Sequence, residues 1–258
     1  MEPGPGLFPA VAVAGPGSGG IVSRPRLFER LAAGARVTVV CAPAGSGKTV
    51  LLRSWIGQAG LAERAAWVHV GPGERDPQKF WLSVVGALRE TLPGAALVRP
   101  LTAAPELDGW VLVERILTDL APLSEPVWLV IDDVHEFGFQ EVRQQLELLV
   151  MRANPRLRFV FAARHDVRLG LHRLRLEGEL AEIREPDLRF TLDEATQLLE
   201  AAGVSLPDPG PLVRRTEGWA AGLRLAALSL VGRSEPERFA AEFSGSERTV
   251  AEDRKSVV

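Results

Sequence analysis

The stretch Cys41-Ala42-Pro43-Ala44-Gly45-Ser46-Gly47-Lys48-Thr49 sets a lysine and a hydroxyl directly behind two glycines. Those residue types at that spacing suit the binding of phosphate. Gly45 and Gly47 permit backbone angles that a side chain forbids, so successive N–H groups can converge on phosphate oxygens. Lys48 can carry charge to the β- and γ-phosphates, and Thr49 can set its hydroxyl on Mg2+. The expected cradle is Ala44, Gly45, Ser46, Gly47, Lys48, Thr49 and Val50. A β-branched run, Val37-Thr38-Val39-Val40, precedes it and a helical pattern from Val50 to Ile56 follows. Strand, glycine loop and helix start in that order make a P-loop. Ala42 stands where the pattern has its first glycine. The plain alternative is a Gly/Ser turn that binds nothing.

Hydrolysis needs more than a cradle: an acid to hold the metal and a group at the γ-phosphate. Val127-Trp128-Leu129-Val130-Ile131 is wholly apolar and ends in Asp132-Asp133. Asp132 is expected to hold Mg2+ through water beside Thr49, and Asp133 to polarise an attacking water as a base. Two acids opening a turn at a strand end is the alternative. Arg158-Phe159-Val160-Phe161-Ala162-Ala163 ends in Arg164. If its strand is parallel to the others, Arg164 emerges at the same edge and can contact the γ-phosphate; otherwise it is a solvent-facing cap. The expected catalytic set is thus Lys48, Asp133 and Arg164. His135 is read as orienting the turn. The four histidines have no zinc-ligand spacing with Cys41 or with one another. The arginines between Arg152 and Arg175 are read mostly as a solvated face.

Elements must bring these groups together. Five apolar runs, Val37–Cys41, Ala66–Val70, Val127–Ile131, Arg158–Ala162 and Ala181–Arg184, alternate with helical patterns near 49–58, 78–92, 109–121 and 140–153. A further helix with Leu27, Phe28, Leu31 and Ala32 on one face closes at Gly34. The expected fold class is α/β: a P-loop NTPase parallel sheet of five strands with helices on both faces, followed by a small helical lid domain. The expected divisions are a flexible Pro/Gly-rich lead-in over 1–20, a nucleotide-binding domain over 21–186, the lid over 187–245 and a tail over 246–258. In the lid, Thr191-Leu192-Asp193-Glu194 is a capping box, Gly203 ends its helix, and a second helix is expected from about Leu212 to Leu230.

A chain of 258 residues that is 46% hydrophobic can bury a sizeable core, and a net charge of −3 argues against a general nucleic-acid binder. The single cysteine, Cys41, suits a small buried apolar role. A reducing, cytoplasmic setting is expected, with no apolar run of membrane-spanning length and no signal peptide pattern.

Further segments carry a family resemblance: Val22-Ser23-Arg24, Ala163-Arg164-His165-Asp166, Leu174-Arg175-Leu176-Glu177-Gly178-Glu179-Leu180, Asp187-Leu188-Arg189-Phe190-Thr191 and Thr216-Glu217-Gly218-Trp219-Ala220-Ala221-Gly222-Leu223. With the P-loop and Asp132-Asp133, these make residues 21–250 resemble the N-terminal ATPase module of large ATP-binding LuxR-type transcriptional regulators of the maltose-regulator kind, which are STAND signalling ATPases. The resemblance implies ATP or ADP with Mg2+ held between sheet and helical domains, opening and self-association on induction, and slow hydrolysis that resets the switch. It implies that Arg24 meets the adenine side and that Gly218-Trp219 lies against the nucleotide; for Trp219, core packing is an equal reading. It implies DNA contact only through a C-terminal helix-turn-helix absent from this chain. Two alternatives come from other classes: a stand-alone P-loop ATPase or small-molecule kinase, and a module for which nucleotide is only structural. Val70-Gly71-Pro72-Gly73 departs from the family's acidic stretch after the second strand. The last six residues, Asp253 to Val258, do not resemble the family and match one reading frame of a short-read sequencing adapter. They are expected to be an artefact, and the natural protein to be longer.

Overall fold

The three central apolar runs form strands walled in on both sides, whereas the two edge runs are only partly buried. In the computed structural model, which describes residues 21–71, 76–100, 108–233 and 236–243, every residue of Val37–Cys41 is buried. The lead-in, most of the Gly71–Arg75 loop and the tail lie outside the described residues. In chain order the elements are α1 (Pro25–Ala32), β1 (Val37–Cys41), α2 (Lys48–Gln58), β2 (Ala65–His69), α3 (Pro77–Glu90), α4 (Leu92–Leu97), α5 (Gly109–Asp119), β3 (Val127–Asp132), α6 (Gln140–Arg152), β4 (Leu157–Ala163), α7 (His172–Leu176), β5 (Leu180–Arg184), α8 (Glu185–Leu188), α9 (Leu192–Ala201), α10 (Gly210–Thr216), α11 (Ala220–Leu230) and α12 (Pro236–Glu242). None of the described helices is long and apolar enough to cross a membrane.

The five strands make one parallel sheet in the order β2-β3-β4-β1-β5. Successive side chains alternate faces. Val37, Val39, Leu129, Ile131, Phe159 and Phe161 therefore pack beneath α3, α5 and α6 with Trp81, Leu112 and Leu146. Val40, Val130, Val160 and Ala162 meet α1 and α2 through Leu27, Leu31, Leu52 and Trp55 on the other side. Fully burying a side chain such as Leu52 contributes roughly 1.5–3 kcal/mol. The body of α2 is thus held by the core, whatever its first turn binds.

Register fixes which ends coincide. His69 pairs with Asp132, and Cys41 with Ala163. The carboxyl ends of β1 to β4 therefore bring the P-loop, His69, the two aspartates and Arg164 to one edge, where open α/β sheets bind ligands.

Beyond β5 the chain builds a separate core from Ala195, Leu198 and Leu199 of α9, Leu212 of α10, and Leu223, Ala226 and Leu230 of α11. The capping box opens α9: Thr191 Oγ1 accepts from Glu194 N (3.2 Å) and Glu194 Oε2 from Thr191 N (3.0 Å). The single helix expected from Leu212 to Leu230 is two. Glu217 (φ 50°) and Gly218 (φ 70°) turn left-handed between α10 and α11. Phe190 N donates to Gly218 O (2.8 Å), and a Cβ at Gly218 would lie 2.7 Å from Phe190 O. Only glycine fits that contact. The short helices α4, α7 and α8 and the later α12 were likewise not anticipated from periodicity.

Candidate functional site

Gly45 (φ 74°) and Gly47 (φ 81°) both adopt the left-handed geometry, and Gly47 leads into α2 at Lys48. Among the described residues, the N–H groups of Gly45 and Gly47 donate to no protein oxygen, and the buried Ser46 Oγ has no partner. Lys48 is buried, with its Nζ donating to Ala42 O (2.8 Å) and Pro43 O (2.9 Å). Burial pushes its pKa below the ordinary lysine value; Asp133 and Asp132 oppose the shift and Arg164 adds to it. Val50 is exposed on the first turn of α2.

Thr49 Oγ1 donates to Asp132 Oδ2 at 2.7 Å, across 83 residues of sequence. Asp132 is buried, and its other oxygen accepts from Asp133 N (3.1 Å). Asp133 adopts φ 61°, ψ 39° and leads into a 3-10 turn, Val134–Glu136. A left-handed backbone is uncommon for a residue other than glycine, although aspartate tolerates it better than most. Its carboxylate lies 3.8 Å from His69 Nδ1 and 3.6 Å from His135 Nδ1. Arg164 follows β4, exposed, close enough to depress the Lys48 pKa. The donor set suits a phosphate with a divalent cation: unclaimed N–H groups and the Ser46 hydroxyl at a helix start, then a hydroxyl and a carboxylate in contact.

The helical unit reaches onto this loop. Ala221 N donates to Gly45 O (3.0 Å) and Trp219 Nε1 to Ala44 O (3.2 Å). A cleft of about 300 Å3 opens beside that contact, lined by Pro43, Ser46, Leu188, Arg189, Gly218 and Trp219 among others. Arg24 is elsewhere. Its side chain, 5% exposed, donates to Leu188 O (2.8 Å), Arg189 O (2.9 Å) and both carboxylate oxygens of Glu194 (2.9 and 3.1 Å), and lies 4.5 Å from the Phe190 ring centre. All of these donors are turned to protein, so Arg24 ties the start of α1 to the start of the helical unit. Three arginines of the basic region are ion-paired, Arg152 with Glu114, Arg173 with Glu177 and Arg175 with Glu182.

One residue at this edge escaped the sequence reading and another was only partly read. His69 stands beside Asp132, and its position at the end of a predicted strand was the available signal. His135 was noticed, but not that its side chain is buried with neither ring nitrogen hydrogen-bonded, Nε2 lying 3.3 Å from Glu136 Oε1 and Nδ1 3.6 Å from Asp133 Oδ1.

Comparison with known proteins places the chain in a family. Residues 31–171 match the AAA domain family. The serine/threonine-protein kinase PknK of Mycobacterium tuberculosis is 31% identical over 245 residues, which are 91% of this chain and 22% of that protein. The HTH-type transcriptional regulator MalT of Cronobacter sakazakii is 28% identical over 215 residues, 81% of this chain and 24% of that protein. The chain thus spans less than a quarter of the length of these relatives. In fold it is similar to a STAND protein with a tetratricopeptide repeat sensor from Pyrococcus horikoshii (TM-score 0.56, 17% identity, covering 92% of this chain and 32% of that one). It is also similar to Cdc6p from Pyrobaculum aerophilum (TM-score 0.50, 14% identity, 92% and 68%). The family match runs from α1 to the start of α7 and so takes in the P-loop, both aspartates and Arg164. The chain belongs to the AAA domain family.

Proposed function

We propose that this chain is the nucleotide-responsive module of a signalling switch, binding ATP or ADP with Mg2+ and hydrolysing ATP slowly. The observation that carries the proposal is the bonding of the helical unit to the P-loop itself, Ala221 N to Gly45 O and Trp219 Nε1 to Ala44 O. A phosphate drawn into the loop acts on the same few residues that hold the helical unit, so occupancy and lid position are coupled through shared atoms. In this reading Ala44 to Val50 cradle the phosphates, Lys48 neutralises them, and Thr49 with Asp132 holds Mg2+. Asp133 polarises the attacking water, and Arg164 contacts the γ-phosphate. Gly218 and Trp219 face the nucleotide from the cleft. Magnesium would supply charge neutralisation between the phosphates.

The similarity to MalT supports a regulatory setting, with self-association as the output of the ATP state. Promoter contact would fall to a helix-turn-helix segment rather than to this module, whose net charge is −3. To test the reading, the purified chain is denatured and the released nucleotide identified, and single-turnover ATP hydrolysis is followed in wild type and Asp133→Asn. Co-purifying ADP, slow turnover and ATP retained by Asp133→Asn are expected. A folded chain that binds neither nucleotide, or hydrolysis undiminished in the variant, would refute it.

A further inference from the structure

A second pocket, of about 170 Å3, lies between the turn that follows β3 and the segment that follows β4. None of the residues assigned above to nucleotide, metal or hydrolysis lines it. Its apolar lining, Val134, Phe137 and Leu169, is buried. Its polar lining is mostly basic. Arg143 comes from near the start of α6 and Arg168 from the segment after β4, with the imidazole of His165 beside them. Asp166 also lines the pocket, but its carboxylate is held by Arg184. The volume is below that of pockets for drug-sized ligands and suits a small ion.

The two arginines lack counter-charges among the described residues, although the whole chain is acidic at −3. Arg143 is half-buried and gives one hydrogen bond, from Nη2 to Phe137 O at 3.3 Å. Arg168 is exposed and makes no hydrogen bond or ion pair among the described residues. A guanidinium carries five N–H donors in a planar fork that matches the oxygens of a carboxylate or a phosphate. His135 is a wall rather than a binder: its ring meets that of His165 edge-on at 5.2 Å, and its Nε2 lies 3.3 Å from Glu136 Oε1. Positive charge set against buried apolar side chains is screened less than on an open surface, which favours an anion that brings two charges.

We infer that Arg143, Arg168 and His165 form a site for a small dianion of phosphate or dicarboxylate chemistry, separate from the P-loop. A dianion held there ties the start of α6 to the segment that follows Arg164. The inference does not rest on the nucleotide reading, and it is tested without nucleotide. Orthophosphate and, separately, succinate are titrated into the full chain at about 0.1 M salt, which screens loose surface charge. The histidine ring protons are followed by nuclear magnetic resonance. The chain has four histidines, so each signal is assigned by substitution to glutamine. Saturating shifts at His135 and His165 are expected with at least one of the two anions, with a Kd of about 1 mM or tighter. The tighter-binding anion tells a phosphate source from a dicarboxylate one. R168A and R143A should each weaken binding by about tenfold or more. Arg168 has no protein bond to lose among the described residues, so R168A should melt like wild type. K48A removes the P-loop ammonium, which does not line this pocket, and should leave the affinity within about twofold. No saturation with either anion, or equal affinity in wild type, R168A and R143A, overturns the inference. So does loss of binding in K48A, which would put the anion in the P-loop and leave the switch reading standing.

Discussion

The indole of Trp219 occupies the space that a side chain at Gly45 would need. A Cβ built on Gly45 would lie 2.8 Å from the ring and 2.8 Å from the Ala221 Cβ. The glycine is required twice, for its positive φ and for this close approach by the helical unit. Gly45→Ala should therefore part the helical unit from the loop. The left-handed penalty alone is about 1–2 kcal/mol, and the clash adds to it. Denaturant melts should show the loss. Trp219→Ala in the same chain should return part of it by removing the ring while leaving the backbone penalty. If Gly45→Ala melts like wild type, the packing described here is wrong.

Lys48→Ala should cost at least about a hundredfold in nucleotide affinity, roughly 2.7 kcal/mol, because the ammonium is the loop's one fixed positive charge. Its fold should survive. Its ammonium bonds only two carbonyls, Ala42 O in the interior and Pro43 O partly exposed, and its depressed pKa means that burial disfavours the charged form. Calorimetric titration with ADP, alongside a thermal melt, checks both halves.

Stability should fall below about pH 6.5 because of His135. Burial lowers its pKa in the folded chain from the ordinary 6.5, against the opposing pull of Asp133 and Glu136. As pH drops, the unfolded chain takes up the proton first, so stability present above 6.5 is lost as pH falls toward the folded value. Melts at pH 7.5 and 5.5 should differ more for wild type than for His135→Leu. At pH 7.5 that variant should be no less stable, since it removes from the interior two nitrogens that make no hydrogen bond. Identical pH slopes would count against the assignment.

Arg24→Met should destabilise the chain by about 3–5 kcal/mol, the usual loss when one partner of a buried ion pair is left alone. Glu194, 12% exposed, would keep its charge without its counter-ion. Changing both, Arg24→Met with Glu194→Leu, should recover much of the loss. Arg24→Lys should not rescue, because a single ammonium cannot reach two carbonyls and a carboxylate at once. Urea midpoints of the four proteins decide the matter.

How much was legible beforehand follows from how local each signal is. Val37–Cys41 was read to the residue, because a β-branched run meeting a glycine loop is a signal contained in consecutive residues. Thr49 and Asp132 were each read from their own segments, and the structure brings them into contact. The break at Glu217–Trp219 was missed because apolar spacing continues across it. The break is imposed by Phe190, which lies elsewhere in the chain and bonds to Gly218. His69 was overlooked for a similar reason: its place beside Asp132 depends on strand order and register, which no window of sequence contains. Arg24 was assigned to the adenine side by resemblance alone, and its bonds to Leu188, Arg189 and Glu194 span more than 160 residues.

Arg24 and Gly45 hold the helical unit with unequal strength. At one end a charged group, shut away from water, grips a helix start through four hydrogen bonds; at the other, two single bonds rest on a loop. Any outward swing therefore begins at the weaker end, with the arginine serving as hinge pin and the tryptophan as latch. Motion of this kind would open the phosphate pocket to solvent without unpicking the joint between α1 and α9.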